Sequence, residues 1–306
     1  VTVGILFALV AVLGYTFSTL FITLLKKKAG AVSTQYMLVC ALGANILLTL
    51  ALTGRIVPAG LTWLQLLFLA VSAILGLTFG FILMAKAIIL IGPRLVLLVA
   101  TTTSAFSFLF GWLFLREKES LISLLYVALI ISGIIIVILN SSPKGRGAAV
   151  RHSLEYRKAK GKLIKGILFS LILALFQSAA LLLSKLVLKE GFSPIEVNTY
   201  RMLFAVIGVV IYVRIAGFSA ASKPVSFSRR EWIYICLAAA AGPVSAVALN
   251  FYSLDYISIG ISSAMLQLSP VFMLFFSRLI FKERISPAAV GGTVIAVIGT
   301  VLLASA

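Results

Sequence analysis

Hydrophobic runs recur along almost the whole chain, and they recur twice in the same order. A run of about 20 apolar residues crosses a ~30 Å hydrocarbon layer as a helix. Gly4-Ile5-Leu6-Phe7 opens the first series and Gly166-Ile167-Leu168-Phe169 opens the second. Arg116-Glu117-Lys118 and Lys282-Glu283-Arg284 stand 166 residues apart. At that same spacing, without a gap, Phe106 matches Phe272, Phe110 matches Phe276, Leu113 matches Leu279, Ser120 matches Ser286 and Gly133 matches Gly299. A duplicated apolar unit is a common plan for membrane carriers, with the solute path between the copies.

Composition removes the soluble alternative. Hydrophobic residues make up 62% of the chain and charged residues only 11%, too few for a water-facing surface. The runs are continuous rather than alternating, which favours helices over an outer-membrane barrel. The first run begins near residue 3, lacks a basic flank, and matches an internal run, so it reads as a span rather than a leader. Ten spans are expected: 3–25, 34–53, 62–91, 94–115, 120–139, 164–188, 196–216, 231–257, 259–281 and 286–305. Gly92-Pro93 separates the third from the fourth, because proline disfavours helix at the residue before it. The expected fold is an all-α integral membrane protein. Two five-helix repeats, 1–139 and 164–306, flank a basic linker at 140–163. An odd number of spans per copy inverts the second copy relative to the first.

The formal charge of +18 would suggest nucleic acid in a soluble chain. Here the basic residues gather between spans, as cytoplasmic loops retain Lys and Arg. Placing the linker in the cytoplasm puts 19 basic residues on that side and four on the other, with Lys86, Lys185 and Arg201 inside spans. Both termini then face outward. No nucleic-acid partner is expected; the partners are the bilayer and a small-molecule solute, and the chain reads as a monomer in a plasma (inner) membrane. Cys40 and Cys236 lie in apolar runs without ligand-like neighbours and read as buried, inert thiols. His152 is the one histidine, so neither a cofactor nor a metal site is expected, and an enzyme lacks the residues it needs.

Further motifs carry a resemblance. Tyr252-Ser253-Leu254-Asp255-Tyr256-Ile257-Ser258 precedes Leu268-Ser269-Pro270-Val271-Phe272, Phe281-Lys282-Glu283-Arg284 and a glycine-rich end with Gly291, Gly292 and Gly299. Together with Glu196 and Tyr200-Arg201-Met202-Leu203-Phe204, this resembles the EamA-type domain of the drug/metabolite transporter superfamily, in two copies. The resemblance implies a ten-helix transporter with a central cavity between the halves. It also implies cytoplasmic termini, opposite to the charge bias. The first copy departs from the pattern: Ser104 stands in place of the proline, and Gln35-Tyr36-Met37 lacks the arginine.

Mid-span polar residues nominate the cavity lining, since a buried amide in hydrocarbon needs a partner. Tyr15, Asn45, Thr102, Gln177, Ser178, Asn250 and Gln267 are the candidates for substrate binding. Interhelical glue is the competing role for each. Gln177 and Gln267 correspond to cavity-lining helices of the family. For Thr101 to Ser104 the alternative is hydrogen bonding back to the preceding turn. Pro270 is expected to kink the ninth span. Lys86 and Lys185 read as snorkelling to headgroups. Arg201 is either an anion partner or a structural residue that caps carbonyls or pairs with Glu196. All eight acids (Glu117, Glu119, Glu155, Glu190, Glu196, Glu231, Asp255 and Glu283) lie away from span centres, against a carboxylate proton relay. Glu117 and Glu283 read as loop-level ion pairs that help gate one face. Gly76 and Gly80 read as close helix packing.

The leading expectation is a secondary transporter, an exporter, of small polar solutes such as amino acids or related metabolites, by alternating access at the repeat interface. Anionic cargo, a phosphorylated sugar or nucleotide-sugar, would need at least two cations on one cavity. A lipid-handling protein would need a groove open to the bilayer.

Overall fold

A computed structural model describes residues 2–25, 28, 30–54, 61–115, 121–141, 154–219, 226–256, 262, 265–266, 268–280 and 287–305. Its elements are α1 (Thr2–Leu24), α2 (Ala31–Thr53), α3 (Trp63–Ala73), α4 (Gly80–Ala100), α5 (Thr102–Leu115), α6 (Leu121–Ser141), α7 (Leu154–Leu188), α8 (Pro194–Ser219), α9 (Arg229–Ala239), α10 (Val247–Ser253), α11 (Ser269–Leu279) and α12 (Pro287–Ser305). A π-helical turn, Ile74–Phe79, joins α3 to α4, and a second, Ala240–Ala246, joins α9 to α10.

The duplication is visible in local geometry. Thr62 caps α3 by accepting from the Gln65 N–H, while its own N–H donates to Gln65 Oε1 at 2.8 Å. Ser228 and Glu231 build the same reciprocal box at the start of α9, with Ser228 N–H donating to Glu231 Oε2 at 2.7 Å. Each box supplies partners for amides that a helix start leaves orphaned. The two π turns begin at Ile74 and Ala240, again 166 residues apart. In the second, Pro243 has no N–H to give, so helical bonding must shift register there. Ser245 Oγ donates to the carbonyls of Ala240 and Ala241 at 2.7 and 2.9 Å. Gly76 and Gly242 occupy the same place in their turns.

The outer surface is apolar, unlike that of a soluble protein, and polar side chains are buried within it. Leu47 is 69% exposed and Trp63 87% exposed, whereas Asn45, Thr49, Ser72 and Asn198 are fully buried. An apolar outside around a hydrogen-bonded inside is the arrangement that lipid selects. Among the described residues, six helices are long and apolar enough to cross a membrane: Thr2–Leu24, Ala31–Thr53, Trp63–Ala100, Lys160–Leu188, Pro194–Ile215 and Arg229–Ser253. Shorter apolar helical stretches cover Thr102–Phe114, Ala128–Val137 and Val290–Gly299.

The packing exchanges the copies. The first helix of copy one, α1, lies on α9, the π turn and α10 of copy two; α7, the first helix of copy two, lies on α3, the π turn and α4 of copy one. The pairs α2 with α8 and α6 with α12 join equivalent helices. In the last of these, a Cβ on Gly133 would stand 2.5 Å from both Gly292 O and Ala296 N, while one on Gly299 would stand 2.9 Å from Ile130 N and 3.1 Å from Tyr126 O. Each contact becomes the other on shifting by 166 residues. Gly133→Leu is therefore expected to force α6 from α12 and cost about 1–3 kcal/mol. Gly291→Leu, where a Cβ meets nothing within 4 Å, should leave the melting temperature in detergent unchanged. Equal melting of the two variants would refute this packing.

Several expectations need correction. Helix α7 starts at Leu154, ten residues before the expected start at 164. Gly92 does break the chain, at φ 77 and ψ 159, a conformation open to glycine and closed to most residues. Pro270 does not kink a described helix. It stands in the first turn of α11, where its missing N–H leaves no bond unmade. Cys40 is half-buried and Cys236 exposed, so neither is a fully buried thiol; the two meet side by side where α9 lies on α2.

Candidate functional site

Between the copies lies a small, partly open cavity of about 30 Å³. Tyr15 of α1 and Leu77 and Phe81 of copy one face Gln177, Leu181, Arg201, Val247, Asn250 and Phe251 of copy two. Tyr15 and Gln177 are 162 residues apart, the spacing of Gly4 and Gly166; Phe81 and Val247 are 166 apart. Equivalent positions of both copies thus meet across the cavity.

Arg201 breaks that symmetry. It is 4% exposed, and Met37 stands at the corresponding place in the first copy. Its Nε donates to Ser72 Oγ at 2.7 Å. Ser72 is itself held by Ser184 Oγ at 2.8 Å and lies 3.1 Å from Ala180 O. The guanidinium sits over the Phe251 ring, 5.0 Å from its centre, a favourable cation–π placement. Gly76 makes room beside it: a Cβ there would fall 2.7 Å from Ala180 Cβ and 3.2 Å from Arg201 Nη2. Gln177 Nε2 donates to Gly76 O at 3.1 Å, so the π turn offers the cavity a carbonyl that Gln177 engages. Asn250 Oδ1 accepts from Ser262 Oγ at 2.8 Å, while its NH2 group donates to no described residue.

Of the nominated residues, the fold brings Tyr15, Gln177, Asn250 and Arg201 to one cavity. It takes three others elsewhere. Asn45 Oδ1 accepts from Asn198 Nδ2 at 3.0 Å, and its own Nδ2 donates to Ala41 O, so it ties α2 to α8. Ser178 Oγ pairs with Ser107 Oγ at 2.9 Å. Thr102 Oγ1 donates back to Val99 O at 2.8 Å, as Thr101 and Ser104 do to their own preceding turns; the chain turns there between α4 and α5. Gln267, Glu117 and Glu283 lie outside the described residues. Lys86 donates to Tyr212 Oη at 3.0 Å. Glu196 Oε2 accepts from Ser193 N–H at 3.3 Å, at the start of α8, where the helix dipole favours an acid.

Sequence reading passed over Ser72, Asn198, Phe251 and Pro243. One signal was available for Ser72: it precedes Gly76 and Gly80 at steps of four, one row of small residues on one helix face. Asn198 lies three residues before Arg201, and its Nδ2 donates to both Asn45 Oδ1 and Pro243 O at 3.0 Å. Nothing local in the sequence indicates that double bond.

At one end of the bundle, the copies are also latched. Lys28 Nζ donates to Glu231 Oε2 at 2.7 Å and to Ser226 O at 2.9 Å. Tyr36, Phe227 and Trp232 pack edge-on beside it.

The model of the EamA-like transporter family matches residues 2–139 and 164–305 of the chain. A solved structure titled only as the crystal structure of a protein superposes with a TM-score of 0.65 at 16% identity, over 99% of this chain and 95% of that chain. That likeness concerns the fold alone. No curated protein matches.

Proposed function

The chain belongs to the EamA-like transporter family, and from that premise we propose that it exports small polar organic solutes, such as amino acids or related metabolites, across the plasma membrane. The observation that carries this reading is the cavity between the copies, lined by Tyr15, Gln177, Asn250 and Arg201 with apolar walls. A concave apolar site with a few placed polar groups is the usual form of a small-solute site. The chain crosses the membrane ten times as two inverted five-helix copies. In support, the packing pairs map onto one another when the copies are exchanged, and Lys28 meets residues 226–231, two segments that ten spans place on one side. With 19 basic residues there, that side is the cytoplasm.

The paired first helices support alternating access. Each lies on a π turn of the other copy, and such turns hold weaker bonding that a helix can shift across. Rocking one pair against the other would expose the cavity to each side in turn, with the Lys28–Glu231 latch open in one state and closed in the other. Phosphorylated or nucleotide cargo is not favoured: among the described residues the cavity offers one cation, Arg201, where at least two are needed.

The test is solute counterflow in proteoliposomes loaded with a broad amino-acid and metabolite panel. Saturable exchange of at least one neutral solute, abolished by Glu231-side cross-linking to Lys28, is expected. A folded protein that moves no panel member would remove the transport reading.

A further inference from the structure

We propose that the guanidinium of Arg201 is the docking point for a solute carboxylate, so that the cavity selects monocarboxylates and the carboxylate end of zwitterions. This rests on the transporter reading above and names the chemistry of its cargo.

Four observations meet at this residue. Arg201 is nearly fully buried yet lines the cavity. Its fork is only half used: Nε donates to Ser72, while Nη1 and Nη2 donate to no described residue. Among the described residues no acid lines the cavity, and Arg201 forms no ion pair with any of them. A buried cation without a counter-ion is strongly disfavoured, and a ligand anion supplies what the protein withholds. The edge left open is the paired Nη edge, whose two parallel N–H donors match the two oxygens of one carboxylate.

The surroundings are built to hold that edge still. Ser72 is itself fixed by Ser184 on α7, and Phe251 covers one face of the guanidinium. Asn250 lines the same cavity, and its oxygen accepts from Ser262, which leaves its NH2 group as a second donor. Gly76 keeps the approach clear, since a Cβ there would press on Nη2. The charge count selects the anion. One fixed positive charge and no acid match one negative charge, and a dianionic phosphate would leave one unmatched. For the rest of the solute the cavity offers apolar walls at Phe81, Leu181 and Val247. An ammonium group would find only neutral acceptors, so losing it should matter less than losing the carboxylate.

The experiment compares each neutral L-amino acid with its carboxamide and with its des-amino acid, using the full chain in proteoliposomes and thermal stabilisation in detergent. Carboxamides are expected to bind and move about 10- to 100-fold more weakly than the acids, because a charge-assisted pair is lost in a buried site. Des-amino acids should stay close to the amino acids. Arg201→Gln should abolish the preference for acid over amide, and Arg201→Lys, which keeps charge without the fork, should fall between. A purely structural arginine would not discriminate acid from amide, so equal handling of the two by the wild-type protein overturns the inference, whether or not the variants fold. If no panel solute moves, the transport reading fails, and stabilisation by acetate against acetamide then decides the docking site. Stabilisation by acetate that Arg201→Gln removes supports it; equal responses to the two probes overturn it.

Discussion

Gly76→Leu, placed in an Ala180→Gly background, is expected to abolish solute movement while leaving a folded, monodisperse protein. The reasoning starts from the missing side chain. A Cβ at Gly76 would lie 2.7 Å from Ala180 Cβ, 3.2 Å from Arg201 Nη2 and 3.6 Å from Gln177 Oε1. Removing the Ala180 methyl relieves the backbone-level collision between α7 and the π turn. The leucine then has one place to go, the edge of the cavity between Arg201 and Gln177. A filled cavity cannot hold solute as well, so transport should fall by roughly 100-fold or more. Gly43→Leu is the matched control, because a Cβ there meets nothing within 4 Å. Initial rates of counterflow and the melting temperature, measured on the same samples, separate the two effects. If the Gly76 variant in that background transports normally, the cavity is not on the solute path.

The second large effect concerns stability. Asn198→Leu is expected to cost about 1–3 kcal/mol, because one change takes a donor from two buried acceptors. Those acceptors are Asn45 Oδ1 and Pro243 O, each 3.0 Å from Asn198 Nδ2. The amide thereby ties α2, α8 and the second π turn together. Asn198 Oδ1 has no described partner, so the leucine also removes an unpaired buried acceptor, which offsets part of the loss. Asn45→Leu in addition removes one orphan, and the double variant should recover roughly 1 kcal/mol relative to the sum of the singles. Strict additivity in reversible denaturation would show that the two amides do not interact. The same pair should leave acid-over-amide preference intact, since neither residue lines the cavity.

Much of the architecture was legible because its cause is local or periodic. Apolar runs of spanning length report helices directly, and the offset of 166 residues between Arg116 and Lys282 reports a copy. The capping boxes at Thr62 and Ser228 follow the same offset. Gly92-Pro93 reads as a break from the steric rule that governs the residue before proline, and the backbone breaks there. Pro270 shows the limit of that kind of reading. Proline in an apolar run signals either a kink or a start, and only the neighbouring turn at Leu268 makes it a start.

The polar residues were less legible. Asn45, Ser178 and Gln177 look alike in sequence, each a polar group in an apolar span. Their partners come from helices about 70 to 150 residues away, so which of them glue helices and which face a cavity depends on packing. The π turns are hidden for a related reason. Leu77 and Pro243 occupy equivalent places, and only one of them announces an interruption.

By itself the sequence determined the membrane, the helices, the duplication and the place where the copies disagree, Arg201 against Met37. Hydrophobic length and repeat spacing are properties of the chain in order, and lipid leaves few other ways to satisfy the backbone. Only the tertiary structure decided that Tyr15, Gln177, Asn250 and Arg201 share one cavity, that Ser72 holds the guanidinium, and that Asn45 does not take part. Those facts arise where helices from the two copies meet, and a contact between distant helices leaves no trace in either helix alone.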